Sequence, residues 1–313
     1  MIDQMIHVAC PLCDGDDQAF ERTVRGFQLV RCRNCSFVFV NPRYSDAALD
    51  EIYTSKESDA HTDLYSRIAT PGLIAAYNLI LDRLERLLPG RGKLLDVGCG
   101  AGYFFEQAQQ RGWDAHGVDL GGWAADAAKA RGLRNLHTGR LVDLGFPDRH
   151  FDVIFSAQMF EHLPEPRKEL ADMQRLLRAD GLLYLDVPNY HTLPILLGRD
   201  DFMLNTPPQH LNYFTPRTLM KLLESSGWRS VQVATSDGLK WQNIFGRPIR
   251  SEIASAYGLG AAPRETVSDS DRPALSRTIL NGIKATVRTT VVQPLFYRSL
   301  QVGMLLSATA RCP

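Results

Sequence analysis

Leu94-Leu95-Asp96-Val97-Gly98-Cys99-Gly100-Ala101-Gly102 decides the fold. A short apolar run of strand length ends in closely spaced glycines, and helical periodicity begins at Tyr103. Backbone bare of side chains at Gly98, Gly100 and Gly102 lets a nucleotide-like ligand lie against the strand end, where open α/β sheets bind ligands. The dinucleotide fingerprint G-x-G-x-x-G would need glycine at position 103, where the chain has Tyr103. The pattern is instead an acid followed by spaced glycines. A second acid, Asp119, closes the next strand, where a carboxylate can accept hydrogen bonds from both hydroxyls of a ribose; read alone, it would serve equally as a helix N-cap.

Outward from this stretch, strands and helices alternate. Periodicity predicts strands over 93–97, 113–119, 135–138, 151–156, 181–187 and 229–235, with helices over 71–88, 103–111, 123–131, 165–178 and 216–225. Such a succession implies an α/β fold, a Rossmann-like doubly wound and largely parallel sheet covered on both faces. Residues 188–215, rich in aromatic, His, Asp and Pro side chains, interrupt the rhythm as an insertion over the site. Residues 258–273 have the composition of a linker.

The N-terminus carries a different signal. Cys10-Pro11-Leu12-Cys13 and Cys32-Arg33-Asn34-Cys35 form C-x2-C-x18-C-x2-C, a spacing of zinc sites. Two thiolates on each of two tight turns complete a closed tetrahedral Zn2+ site, which leaves no open position for Lewis-acid chemistry. The assignment is a structural zinc ribbon that a segment of this size needs in order to fold. Disulfides or redox pairs are the competing readings. The expected division is a zinc ribbon over 1–42, a helical linker or cap over 43–90, a core over 91–250, and a linker plus basic amphipathic helical tail over 251–313.

Residues 93–235 resemble the class I S-adenosylmethionine-dependent methyltransferases. The resemblance rests on Leu95-Asp96-Val97-Gly98-Cys99-Gly100-Ala101-Gly102, Gly117-Val118-Asp119, Phe146-Pro147 with Phe151-Asp152-Val153-Ile154, Glu161-His162-Leu163-Pro164 and Gly181-Leu182-Leu183, in that order. It implies that S-adenosyl-L-methionine is the cofactor. Asp96, Gly98 and Gly100 would then approach its methionine half, Asp119 would take its ribose, and Leu141, Val142 and Asp143 would flank its adenine, with Gly102 and Leu120 also among the cofactor-binding residues. Ser156 and Gln158 would face the methionine end and the entering acceptor. Methyl transfer from a sulfonium is an in-line displacement that demands positioning and the exclusion of water. An acceptor that must lose a proton also needs a base near the fourth strand end. His162 is the candidate, with Glu161 to orient it or to bind substrate; a scaffolding role for the same residues is the competing reading. The insertion adds His210, and beyond it Tyr190, His191, Asp200 and Tyr213.

Cys-x-x-Cys-Ser-Phe-Val-Phe-Val-Asn-Pro over 32–42 and His-Leu-Asn-Tyr-Phe-Thr-Pro over 210–216 extend the likeness to zinc-ribbon-fronted methyltransferases of sugar and natural-product biosynthesis. Deoxysugar C-methyltransferases among them carry a further α/β domain, for which the residues after 245 leave no room. The resemblance therefore implies a small-molecule acceptor (a sugar, lipid-linked saccharide or natural product) with the methylated atom open. Two other readings stand beside it: a ribosomal RNA base methyltransferase that uses the ribbon on RNA, and a non-catalytic cofactor-binding adaptor.

Composition narrows these. The chain has 313 residues, 44% of them hydrophobic, with 35 basic against 35 acidic side chains, which is the balance of a folded globular protein with no global pull toward a polyanion. That weighs against a nucleic-acid partner. Met1-Ile2-Asp3-Gln4-Met5-Ile6-His7 does not read as a secretory signal, and no run reaches the ~18 apolar residues of a membrane span, so the expectation is a cytoplasmic protein. The neutral total conceals a bias: residues 274–313 carry Arg277, Lys284, Arg288, Arg298 and Arg311 and no acid. Leu275, Ile279, Ile283, Val287 and Val291 would give an amphipathic helix there, for a peripheral membrane contact, a homo-oligomer contact or closure of the domain.

Overall fold

The computed structural model describes residues 5–54, 71–192, 195, 207–236 and 305–313. Among them, seven strands build one sheet and four build a second. The large sheet contains β6 (Lys93–Val97), β7 (Asp114–Asp119), β8 (Leu136–Thr138), β9 (Phe151–Ala157), β10 (Leu177–Pro188), β12 (Arg229–Ser236) and β13 (Leu305–Arg311), in the order β12-β13-β10-β9-β6-β7-β8. β6 to β10 pair in parallel, whereas β13 runs antiparallel to both β10 and β12. The winding reverses between β6 and β9, and ligand crevices of α/β sheets open at that point, outside the carboxyl ends of the strands.

Alternation along the strands sorts the two faces. Leu94, Val153, Phe155, Leu182 and Tyr184 point toward α2 (Pro71–Leu87) and α3 (Tyr103–Gln110), where they pack with Leu81, Leu84, Phe104, Phe105 and Trp113. The Phe104 and Phe155 rings stack at 3.5 Å between centroids. Leu95, Ile154, Leu183 and Leu185 point the other way, toward Leu170, Met173 and Leu176 of α5 (Pro166–Leu176) and Leu219 and Leu222 of α6 (Pro216–Ser225). A capping box at Thr215 and Thr218, followed by a proline, starts α6. Between β7 and β8, α4 (Gly122–Ala130) completes the crossover.

The small sheet contains β2 (Gln18–Val24), β3 (Phe27–Cys32), β4 (Val38–Val40) and β11 (Asn212–Tyr213), in the order β11-β4-β3-β2. Short β1 (Met5–Ile6) and β5 (Arg43–Tyr44) pair beside it. Cys10, Leu12, Phe37 and Phe39 pack into the same apolar cluster as Leu95 and Ile154, so the ribbon shares its core with the large sheet. α1 (Asp46–Thr54) follows, with Ser45 Oγ accepting from the Ala48 amide at 3.4 Å.

The C-terminus differs from the helical tail expected over 251–313. Leu305–Arg311 is β13, a strand buried between β10 and β12. An expected core ending at 250 therefore lacks one of the sheet's interior strands. The predicted amphipathic helix over 275–291 lies outside the described residues. No described helix is long and apolar enough to cross a membrane.

Candidate functional site: a glycine cradle and a buried acid–histidine cluster

The glycine loop leaves β6 and folds over the end of β7. The amides of Gly98 and Cys99 both donate to the Val118 carbonyl, at 2.8 and 3.0 Å. Gly98, Gly100 and Gly102 all have positive φ (75°, 50° and 79°), a left-handed backbone that favours glycine. A Cβ on Gly98 would lie 2.7 Å from Cγ of Met159, so the cradle admits no side chain there.

Two acids face this cradle. Asp119 accepts from the Gly100 amide through Oδ2 and from the Gly121 amide through Oδ1, each at 2.9 Å. It thus ties the loop to the start of α4, a cap-like role held together with its place at the strand end. Asp96 is 1% exposed and accepts from the Phe105 amide, and its Oδ2 is buried with no hydrogen-bond partner. Burial, and then the charge of Asp119, push the Asp96 carboxyl well above the usual range. An orphaned buried carboxylate oxygen beside bare backbone fits a ligand with a cationic donor group.

The other predicted cofactor residues divide. Leu120 is half-buried beside Asp119. In the 3-10 turn Leu141–Leu144, Leu141 is buried in the core whereas Val142 is 48% exposed. Ser156 is fully buried, with Oγ unpartnered. Gln158 sits at φ 54°, its amide donating to the Asp186 carbonyl and its Nε2 to Asp186 Oδ1, both at 2.8 Å.

Beyond Gln158 the chain turns into the short 3-10 helix Phe160–His162. The residues before and within β11 hold it: the Leu211 amide donates to Glu161 O at 2.7 Å, and Asn212 Nδ2 to Phe160 O and Leu163 O at 3.1 and 2.7 Å. β11 in turn pairs with β4 of the ribbon, Asn212 opposite Phe39 and Tyr213 opposite Val38. This brings Glu161, His162 and His210 together, one ligand atom from each lying within 4.8 Å of the others. The His162 and His210 rings meet edge to face at 4.7 Å. Both carboxylate oxygens of Glu161 are buried without hydrogen-bond partners. Burial, with the nearby Asp186 charge, raises its pKa to about 8, and burial raises Asp186 to about 7. Buried Glu161 in the turn after β9, half-buried Asp186 in β10 and buried Asp96 in β6 together favour a positively charged occupant.

His210, Tyr190 and Tyr213 line a recess with Pro188, Asn189 and Ile195. Of the other insertion residues, His191 is half-buried outside that lining and Asp200 lies outside the described residues. Tyr53, whose hydroxyl lies 3.0 Å from His162 Nδ1, and Asp186 are the site residues that the sequence did not point to. Neither stands in a motif, and each reaches the site through a contact distant in sequence.

At the ribbon, each cysteine pair forms the same knuckle. The Asp14 amide donates to Cys10 O, and the Ser36 amide to Cys32 O, each at 2.9 Å, with Asp14 and Ser36 at positive φ. Sγ of Cys10 lies 3.5 Å from Sγ of Cys35, and Sγ of Cys13 lies 3.6 Å from Sγ of Cys32. Ligands at about 2.3 Å from a tetrahedral ion stand about 3.8 Å apart, so the four sulfurs fit one Zn2+. Burial pushes the Cys10 thiol up and raises Cys35 to about 11; a cation among the thiols offsets that cost by stabilising thiolates.

Residues 73–233 match the family model described as a methyltransferase domain. The C-methyltransferase NovU of Streptomyces niveus is 28% identical over 232 residues, covering 72% of this chain and 52% of that protein. The ubiquinone biosynthesis O-methyltransferase of Idiomarina loihiensis is 28% identical over 156 residues, covering 45% and 63%. The chain thus spans less than two thirds of the length of these curated relatives. Among solved structures, the plantazolicin methyltransferase BpumL in complex with SAH superposes with a TM-score of 0.51 at 17% identity, covering 85% of this chain and 94% of that one. A methyltransferase of Thermotoga maritima superposes at 0.50 and 15%, covering 82% and 99%. At these identities, the structural matches speak for the fold.

Proposed function

We propose, from the premise that the chain belongs to the methyltransferase-domain family, that it transfers a methyl group from S-adenosylmethionine to a small-molecule acceptor. The observation that carries this reading is the cradle itself: bare backbone at Gly98, the orphaned Asp96 Oδ2 and the Asp119 carboxylate stand together at the switch point of the sheet. The cofactor, when bound, supplies an electrophilic methyl carbon on a cationic sulfur. The glycine loop and Asp96 would hold its methionine end, Asp119 its ribose, and the buried acids would favour its positive charge. His162, with Glu161 and His210 around it, would take the proton that the acceptor loses.

The acceptor class is supported by the relatives, which are named for ubiquinone biosynthesis and as a C-methyltransferase. The match to NovU is longer than the family-model segment, so that likeness reaches outside it. The four thiolates of Cys10, Cys13, Cys32 and Cys35 would hold a structural Zn2+ with all four positions filled, which assigns it no part in chemistry at the acceptor.

Two outcomes test the reading. Asp119→Ala is expected to weaken S-adenosylhomocysteine binding about 10- to 100-fold by calorimetry, the effect of losing one or two hydrogen bonds to a charged group. Unchanged affinity removes Asp119 from the cofactor site. Asp119→Asn, which keeps an acceptor oxygen for the loop, should fall between the two. His162→Gln is expected to leave that affinity alone and to lower methyl transfer by about 100-fold or more, read with labelled cofactor against a metabolite extract. Full transfer in that variant clears His162 of acting as the base.

A further inference from the structure

The imidazole of His162 is held from a direction that its own sequence neighbourhood does not supply. Its Nδ1 lies 2.9 Å from the carbonyl oxygen of Gln209 and 3.0 Å from the hydroxyl of Tyr53, and that hydroxyl lies 3.3 Å from the same carbonyl. A carbonyl oxygen only accepts, so a hydrogen bond to it requires the proton on Nδ1. With Nδ1 protonated, the Tyr53 hydroxyl cannot donate to it. It accepts a share of the Nδ1 proton and donates its own to Gln209 O, which closes a three-membered ring of hydrogen bonds. The imidazole lone pair is then on Nε2, the nitrogen 3.8 Å from Glu161 Oε1. The Tyr53 and His162 rings also meet edge to face, 6.0 Å apart at 82°.

We infer that Tyr53, carried by α1 after the ribbon, is a positioning residue for His162: the Gln209 carbonyl sets the tautomer with the basic nitrogen on Nε2, and the Tyr53 hydroxyl shares the Nδ1 proton and holds the imidazole against that carbonyl. The assignment extends the reading of His162 as the base and rests on it. Among the described residues, the titratable groups that face His162 include Tyr53 from α1, Glu161 from the same 3-10 turn, and His210 from the segment before β11. Asp186 of β10 acts on Glu161. Of these, Tyr53 is the one that meets Nδ1 through a hydroxyl and so bears on how strongly the Nδ1 proton is held. Accepting from Nδ1–H also favours the imidazolium, whose N–H is the stronger donor, and makes Nε2 more basic.

The test is 15N-histidine NMR on the full chain, with the His162 signals identified by their loss in His162→Gln. The expected wild-type spectrum shows His162 protonated on Nδ1 and bare on Nε2 above its titration. Tyr53→Phe keeps the ring and removes the hydroxyl. It is expected to keep the proton on Nδ1, which the Gln209 carbonyl still requires, and to lower the titration midpoint of His162 by about half a pH unit, the scale of one modest hydrogen bond. Affinity for S-adenosylhomocysteine should stay within twofold of wild type, which shows that the variant is folded. A wild-type His162 protonated on Nε2, or a Tyr53→Phe titration that superposes on wild type, overturns the inference. Neither readout needs the acceptor. A failure of the base reading looks different: full methyl transfer by His162→Gln with the wild-type tautomer as described.

Discussion

A chain ended at residue 304 is expected to lose its native fold. The missing piece includes β13, seven residues that pair with β10 along one side and β12 along the other. Leu306 is fully buried, and Ala308, Ala310 and Cys312 are 1%, 1% and 5% exposed. Without this strand β10 becomes an open edge and β12 loses its partner in the sheet. The chain end also ties other elements together: Arg311 donates to Leu87 O at 2.6 Å, and Arg229 donates to Cys312 O at 2.9 Å. Burying each leucine is worth about 1.5–3 kcal/mol, and two ladders of backbone hydrogen bonds are lost as well. Against a total stability of about 5–15 kcal/mol, that loss is decisive. Circular dichroism and a thermal melt of the 1–304 chain should show no cooperative transition near that of the full protein. A melt within about 2 °C of full length would overturn the place given to β13, since a stability change of 1 kcal/mol shifts the midpoint of a domain this large by that much or more. Ala308→Pro in the full chain is the matching point test, because proline removes a ladder donor and does not fit a strand paired on both sides.

The second large effect is expected at the cysteines. Changing Cys32 and Cys35 together to serine should abolish the bound zinc, measured as metal per chain by mass spectrometry, from about one to none. Structural zinc contributes about 10–16 kcal/mol to folding in zinc-finger peptides, far more than a ribbon's small core can replace. The consequence reaches the site. β4 is the strand on which β11 is registered, the Val40 amide donates to Leu211 O at 2.9 Å, and the Leu211 amide donates to Glu161 O. With the ribbon unfolded, the support of the Glu161–His162–His210 cluster is lost, and the face of β6 and β7 that packs with Phe37 and Phe39, through Leu95, Val97 and Val118, is uncovered as well. The double variant is therefore expected to lose methyl transfer almost completely and to weaken S-adenosylhomocysteine binding as well. Unchanged metal content defeats the ribbon assignment. Unchanged transfer in a zinc-free chain defeats its role in supporting the cluster.

Much of the site was legible because its signals are local. A glycine at positive φ and an acid at a strand end declare themselves by residue type at a fixed register, and two Cys-x-x-Cys turns need only their own spacing. Glu161 and His162 were legible as candidates for the same reason. That they stand next to His210 was not, since the contact is made by a strand of the ribbon sheet that arrives from residues 212–213. Asp186 was hidden in a run of strand residues, where nothing distinguishes it from an exposed polar position until the burial of β10 is known. Leu305–Arg311 misled outright. A short alternation of Leu, Ala, Ser and Thr after a basic stretch reads as the end of a tail, and only the vacant position between β10 and β12 makes it a strand.

The sequence by itself determined the parallel α/β core, the glycine cradle with Asp96 and Asp119, and the tetrad of thiols, because each depends on residues a few positions apart whose conformational or ligand chemistry is intrinsic. The tertiary structure alone decided that the ribbon shares a core with the large sheet, that the chain's end lies inside that sheet, and that Tyr53 meets His162 from 109 residues away. Those pairings satisfy backbone groups and side chains with partners from distant segments. Which distant partner is within reach is a property of the packed chain rather than of any window within it.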